Sequence, residues 1–302
     1  MSGSGVVAAR PVIGATAMLA NTILIPIMGV AIKELTAQGV GTVEMLAWRA
    51  WLTFGLLLPL LFWGGNLRAV LTADKWAHVI HASFTVATMA CFYYALRTMP
   101  IVTVTAINFS TPIFTLIGAR LLYGERVSPA GWGAMALGFA GTVLVLRPDA
   151  SGIGTDAAVV LLGSALGAGM NLAVRRMPAR SSNYAVLFYF SLGGAVVYGL
   201  AAIGNTGLPA AGAWPWFWVL AGIALGVHTC TTIAYRVSSS VLIGALDYAR
   251  ILWAALIGAL VLEEVPDLVD GLGILLIVAS GVIVLKVSTR RIAPAPPQPP
   301  AA

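Results

Sequence analysis

Apolar stretches separated by short polar turns recur along almost the whole chain. A membrane-crossing helix needs about 20 mostly apolar residues. Ten stretches meet that requirement: 12–32, 42–63, 77–96, 101–122, 130–146, 156–174, 184–203, 215–235, 240–262 and 269–287. The connections are short, so neighbouring helices should run antiparallel. Local signals mark several ends. Ser128-Pro129 reads as an N-cap followed by a first-turn proline, and Pro266-Asp267 does the same before the last stretch. Arg147-Pro148-Asp149 closes the fifth. The tail from Ala293 is proline-rich and is expected to be disordered.

The pattern repeats within itself. Residues 91–127 and 230–265 both read as the end of an apolar helix, a turn, a second apolar helix and a polar stop. Shifting the first by 139 positions pairs Cys91 with Cys230, Arg97 with Arg236, Ala106 with Ala245 and Glu125 with Glu264. The chain therefore divides into a short N-terminus (1–11), a first five-helix unit (12–147), a linker (148–155), a second five-helix unit (156–287) and the tail (288–302). Five is odd, so the second unit enters the membrane upside down relative to the first. The expected fold class is an all-α membrane protein of ten transmembrane helices in two inverted five-helix repeats, an architecture typical of secondary transporters.

Composition agrees. Of 302 residues, 59% are hydrophobic and 9% charged, against roughly 25% charged in soluble domains. The net charge of +6 does not point to nucleic acid, because the basic residues are sorted by side. With the N-terminus in the cytoplasm, twelve of the 17 Lys and Arg fall on the cytoplasmic side. Three (Lys33, Arg97, Arg147) fall on the other, and Arg49 and Arg250 lie within spans. This bias places both termini in the cytoplasm. The two cysteines, Cys91 and Cys230, suit small packing positions rather than a disulfide framework or metal site. No removable signal peptide is evident, and the first stretch should serve as an uncleaved span. No GxxxxGK[ST] loop occurs, so ATP-driven transport by this chain alone is not expected.

The first unit contains YYALRTMPIVTVTAINFSTPIFTLIGARLLYGERVSPAGWGAMALGFAGTVLVLRP, with Pro112 centred in its fourth helix, and the second ends in Leu262-Glu263-Glu264. With ten spans in two halves, these features resemble the drug/metabolite transporter (DMT) superfamily, and within it bacterial EamA-type permeases. The second half departs from the pattern: Ile251 stands in place of the helix-four proline, and Asp247 and Arg250 add charge. The resemblance implies a multi-pass permease of a bacterial-type inner (plasma) membrane. Its cargo would be a small polar or zwitterionic metabolite such as an amino acid, moved by alternating access. Riboflavin or S-adenosylmethionine uptake is the alternative. The partners implied are a small-molecule substrate and the lipid bilayer, with no nucleic acid, cofactor or metal, and the state is monomer or homodimer. An intramembrane enzyme would need a nucleophile–base or metal constellation, and neither HExxH nor GxSxG occurs.

Charges inside a bilayer cost about 2.5–3.5 kcal/mol each on insertion scales, which makes them functional candidates. Asp247 and Arg250 stand i,i+3, on one helix face near the midplane. They read either as substrate ligands, with Asp247 a candidate for proton coupling, or as a neutralised structural pair. Arg49 could hold a substrate carboxylate or pair across helices; Glu44, five residues away, is on another face. His78, His81, Thr85, Thr88 and Phe92 form one stripe. His81 is a second coupling candidate, since histidine titrates near neutral pH, and His78 is read as interfacial. Thr105, Asn108, Pro112 and Thr115 share a face, with Pro112 expected to free a backbone carbonyl and bend the helix, and the shift by 139 sets Asn108 against Asp247 and Thr111 against Arg250. Asn21, Asn171 with Ser164, and His228 with Thr231, Thr232 and Tyr235 complete the polar set; Tyr248 and Trp253 could pack a substrate's apolar part. Singly, such groups are often interhelical hydrogen bonds. Together they suggest a cavity bounded by the first, third, fourth, sixth, eighth and ninth spans. The Gly-rich fifth and tenth should be peripheral. Glu125 and Glu264 read as structural, each complementing a following helix N-terminus.

Overall fold

The computed structural model describes residues 11–62, 66–71, 74–124, 129–146, 154–174, 182–204, 206–237, 246–247 and 249–292. Among the described residues the secondary structure is helical, without strands. In chain order the helices are α1 (Pro11–Ala37), α2 (Thr42–Phe62), α3 (Asn66–Leu71), α4 (Lys75–Thr98), α5 (Ile101–Asn108), α6 (Thr111–Tyr123), α7 (Pro129–Leu146), α8 (Thr155–Val174), α9 (Asn183–Ala202), α10 (Trp214–Val237), α11 (Ala249–Val261) and α12 (Leu268–Ile292). Seven helical runs among them are long and apolar enough to cross a membrane, the continuous stretch Ile101–Leu122 counting as one. Three more apolar helices, Ala136–Val145, Ala249–Val261 and Leu268–Ile283, are shorter.

The local chemistry accounts for the ends. Asp74 caps α4 by accepting from the Ala77 amide at 3.4 Å, and Ser182 caps α9 by accepting from the Tyr184 amide at 3.2 Å. Pro129 opens α7 as expected; Ser128 lies outside the described residues. The expected fourth span is broken in two. Pro112 has no N–H to return to residue 108, and the ladder is interrupted at Phe109-Ser110 before helix resumes at Thr111. The bend expected at Pro112 thus opens just N-terminal to it. The first span is also longer than the apolar pattern implied, continuing to Ala37.

Packing is strongest between α7 and α12, α1 and α10, α4 and α8, and α2 and α9. The α7–α12 crossing depends on glycine. A Cβ on Gly141 would stand 2.6 Å from the Gly273 carbonyl oxygen, and one on Gly273 would stand 2.8 Å from the Gly141 oxygen. These are backbone contacts that cannot swing aside. Of the glycines expected to pack these two helices, Gly138 also lies at the crossing, beside Ser280, whereas Gly133 and Gly271 face open space.

The main apolar core is lopsided. It gathers the C-terminal parts of α1, α4 and α9, the N-terminal parts of α2, α8 and α10, and α5. All of these lie at the end of the bundle remote from the α1 N-terminus, here called the distal end. Polar ties are added there. Glu264 joins Lys33 at 2.7 Å and accepts from the Ile101 amide at 2.9 Å. Thr98 donates to Asp156 at 2.7 Å, and Arg97 to Thr42 at 3.0 Å. Glu264 is structural, as read, but it serves the N-terminus of α5 rather than that of the helix that follows it. Glu125 lies outside the described residues.

The glycine crossing gives a direct expectation. Gly141→Val should lower the melting temperature of the detergent-purified protein, by the equivalent of roughly 1–3 kcal/mol for an overpacked contact. Gly133→Val, with nothing within 4 Å of its Cβ position, should leave it nearly unchanged. Equal behaviour of the two variants in a thermal melt would contradict the crossing.

Candidate functional site

The break between α5 and α6 puts Asn108 at a helix end, facing the start of α11. There Arg250 donates to Asp247 at 3.2 Å and to the Asn108 side-chain oxygen at 3.4 Å. Its guanidinium carbon also lies 5.2 Å from the Phe109 ring centroid. The i,i+3 pair expected from spacing is therefore formed, and Asn108 and Asp247 converge on one arginine. The pair is half-buried, with side-chain exposures of 16% for Arg250 and 31% for Asp247, so its carboxylate keeps some access to solvent or ligand. The Arg250 Nε has no partner. Tyr248 lies outside the described residues.

Immediately after the break, Thr111 at the start of α6 and Thr88 on α4 both lie against Gly167 of α8. A Cβ at Gly167 would stand 3.6 Å from the Thr111 methyl and 3.7 Å from that of Thr88. Both threonine hydroxyls are buried without a hydrogen-bond partner. Thr85 instead donates to the His81 carbonyl at 2.8 Å. Asn21 donates to the Val227 carbonyl at 3.0 Å and to Thr231 at 2.7 Å, which makes it a tie between α1 and α10. Asn171 is exposed near the C-terminal end of α8 and is not among the buried groups that converge. His78, in the first turn of α4, is 1% exposed and stacks on Tyr189 at 5.3 Å.

A second centre forms around Arg49. This side chain is 1% exposed. Its guanidinium carbon lies 5.3 Å from the Tyr93 ring centroid and 5.6 Å from that of Phe190. The Phe190 ring in turn lies 4.1 Å from His228. Arg49 Nε and Nη1, the Tyr93 hydroxyl and His228 Nε2 are all buried without a partner, as are the hydroxyls of Thr53 and Ser191. His228 and buried His81 are within electrostatic reach of each other, and His228 is also within reach of Arg49. Every described carboxylate other than Asp247 lies within about a turn of a helix end or in a connection. Arg49 is therefore a buried cation with aromatic neighbours and, among the described residues, no counter-ion.

Sequence reasoning missed the company Arg49 keeps. The cavity was expected between the first, third, fourth, sixth, eighth and ninth spans, whereas the Arg49 centre is built by α2, α4, α9 and α10. Phe190 and Ser191 carried no signal, because α9 looks uniformly apolar.

Residues 12–147 match the EamA-like transporter family. The whole chain is similar to a riboflavin transporter of Rhizobium johnstonii, 27% identical, over 93% of this chain and 94% of that one. It is also similar to a pseudopaline exporter of Pseudomonas aeruginosa, 27% identical over 63% of this chain and 68% of the relative. A third relative is an S-adenosylmethionine uptake transporter of Rickettsia felis, 26% identical over 51% of this chain and 52% of the relative. A solved crystal structure superposes with a TM-score of 0.63 at 21% identity, covering 94% of this chain and 98% of that one, and so shares the fold. All three relatives are transporters by name, and several helices here are apolar enough to cross a bilayer. Residues 12–147 of this multi-pass membrane chain are thus similar to the EamA-like transporters, as the sequence motifs implied.

Proposed function

We propose that the chain is a secondary transporter that moves a small polar metabolite across a bacterial inner membrane by alternating access. Its ten spans would form two inverted five-helix repeats, 12–147 and 156–287. The helix packing supports that reading. Exchanging the first five spans with the last five turns α1–α10 into α8–α4, α4–α9 into α10–α2, and α1–α11 into α8–α6, while α2–α9 and α7–α12 map onto themselves; each of these pairs is in contact. The basic residues favour cytoplasmic termini, which makes the distal end the extracytoplasmic one. The lopsided core is what one closed-outside state of a rocking pair of repeats would have.

The carrying observation is the cluster of Arg250, Asp247 and Asn108, where the first unit meets the second and the chain breaks its helix. A substrate held there would contact both units and so would couple its binding to their relative motion. The match to a riboflavin transporter over nearly the full length favours a second reading, in which the cargo is a vitamin-like heterocycle. Tyr93, Phe109 and Trp253 could pack such a ring.

The function is tested by counterflow in proteoliposomes, with a panel of labelled amino acids, riboflavin and S-adenosylmethionine. Saturable exchange of at least one solute is expected; linear, non-saturating flux of all of them would mean a channel or a scaffold. Candidates for the panel can be ranked first by thermal shift, since a ligand of the folded state raises its apparent stability. If Asp247 carries the coupling proton, Asp247→Asn should reduce flux driven by an imposed pH gradient by about tenfold, the equivalent of roughly 1.4 kcal/mol, while sparing counterflow. An unchanged response to the gradient would remove Asp247 from coupling.

The Lys33–Glu264–Ile101 tie joins the two proposed repeats at the distal end. Losing about 1 kcal/mol there corresponds to a shift of roughly fivefold in the ratio of open to closed forms. Glu264→Ala should accordingly raise the labelling rate of a cysteine placed at Leu35, which is 0% exposed, by an impermeant maleimide in a background lacking Cys91 and Cys230. A rate that does not change would show that this tie does not hold the distal end shut.

A further inference from the structure

The two intramembrane arginines are not equivalent. Arg250 is answered by Asp247 at 3.2 Å; among the described residues Arg49 has no carboxylate, and its Nε and Nη1 have no partner. Aromatic faces return only part of what a guanidinium loses on leaving water. Neighbouring groups do not repair the deficit. The Tyr93 and Phe190 rings cover Arg49, His228 lies against Phe190, Thr53 stands one turn on along α2 and Ser191 follows Phe190 on α9; the three hydroxyls and His228 Nε2 are all buried and unpartnered. Several orphaned groups around one uncompensated cation are complementary to an anion.

Building on the transporter reading, we infer that Arg49 is the docking point for a carboxylate of the transported molecule, so that the cargo is a small organic acid of net negative charge rather than a balanced zwitterion. The charge count favours this class. Arg250 and Asp247 cancel, and Arg49 leaves the intramembrane polar groups one positive charge in excess. A single carboxylate balances that charge, and its two oxygens match the guanidinium fork. A phosphate monoester carries nearly twice the charge and would meet only one arginine here. In this conformation Tyr93 and Phe190 cover Arg49, so the rings must part to admit the acid, and a flat apolar body would then have them and His228 to pack against.

The test uses purified protein in detergent and three matched pairs: benzoate and benzamide, phenylacetate and phenylacetamide, nicotinate and nicotinamide. The acids should raise the melting temperature and the amides should not. Arg49→Gln should weaken acid binding by about tenfold or more, as expected for loss of a desolvated charge-assisted pair, and Arg49→Lys should keep part of it. Without any ligand, Arg49→Gln and Arg49→Met should melt no lower than the wild type, because an uncompensated buried charge has been removed. A structural anchor would instead melt lower in both variants. The inference is overturned if acids and amides act alike, if none of the three acids shifts the melting temperature, or if their effect survives in Arg49→Gln. It is also overturned if sodium chloride or sodium phosphate alone reproduces an Arg49-dependent shift to which the acids add nothing, which would assign the centre to a free inorganic anion. Saturable counterflow of neutral solutes that is indifferent to Arg49 would sink this inference and leave the transporter reading standing, whereas absence of any saturable exchange would sink the transporter reading alone.

Discussion

Hydrocarbon offers no hydrogen-bond partner, so each polar group in a membrane-spanning bundle must be answered by protein or kept where water or a ligand can reach it. Most polar side chains here obey this quietly. Thr85, Ser164 and Thr232 each donate to a carbonyl one turn back, and Asn21 bridges α1 to α10. Tyr198 reaches across from α9 to the Val86 carbonyl. Such bonds hold helices in register without creating a site. The same constraint makes the exceptions informative: the break at Phe109-Ser110 beside Arg250, the free hydroxyls of Thr88 and Thr111, and Arg49.

Packing decides where those exceptions can open. At the α7–α12 crossing the backbones touch through Gly141 and Gly273, which fixes a peripheral pair on which the other helices can move. At the distal end the core is thick, and Glu264 answers both an ammonium and a helix N-terminus, so that closure there is both apolar and ionic. The other end has smaller, separate clusters, such as Leu57, Leu61, Val70 and Leu187. The polar centres therefore sit below a sealed end rather than in the middle of a uniform core.

Much of this was legible in the sequence, because it depends on spacing along one helix. Apolar runs located the helices within a few residues, the i,i+3 spacing foretold the Asp247–Arg250 pair, and Pro112 foretold an interruption. What was not legible depends on how helices rotate against one another. Asn171 looks like a lining residue by its alignment with Ser164, yet it is exposed; and nothing along α4 announces that His78, near its end, is covered by Tyr189. Arg49 could be flagged as costly, but its lack of a counter-ion among the described residues is a property of four helices, one of which, α9, has few polar residues to announce it.

The division of labour between the arginines follows from symmetry. Two repeats related by a pseudo-twofold axis make like surfaces, whereas a small metabolite has no twofold axis, so a selective site must break the likeness where it touches the cargo. Under the shift of 139 that pairs the halves, Arg250 stands against Thr111 and Arg49 against Phe188; neither arginine has a charged counterpart. Arg250 brought its own carboxylate and is neutral as a pair, which suits a group that must engage and release as the halves rock. Arg49 brought none. A neutralised pair discriminates shape and hydrogen bonding, while an unbalanced cation discriminates charge, and it does so most strongly in a buried setting where little solvent screens it. On the proposed reading, charge selection would belong to the centre among α2, α4, α9 and α10, and the seam at Asn108, Asp247 and Arg250 would be left to transmit binding from one half to the other.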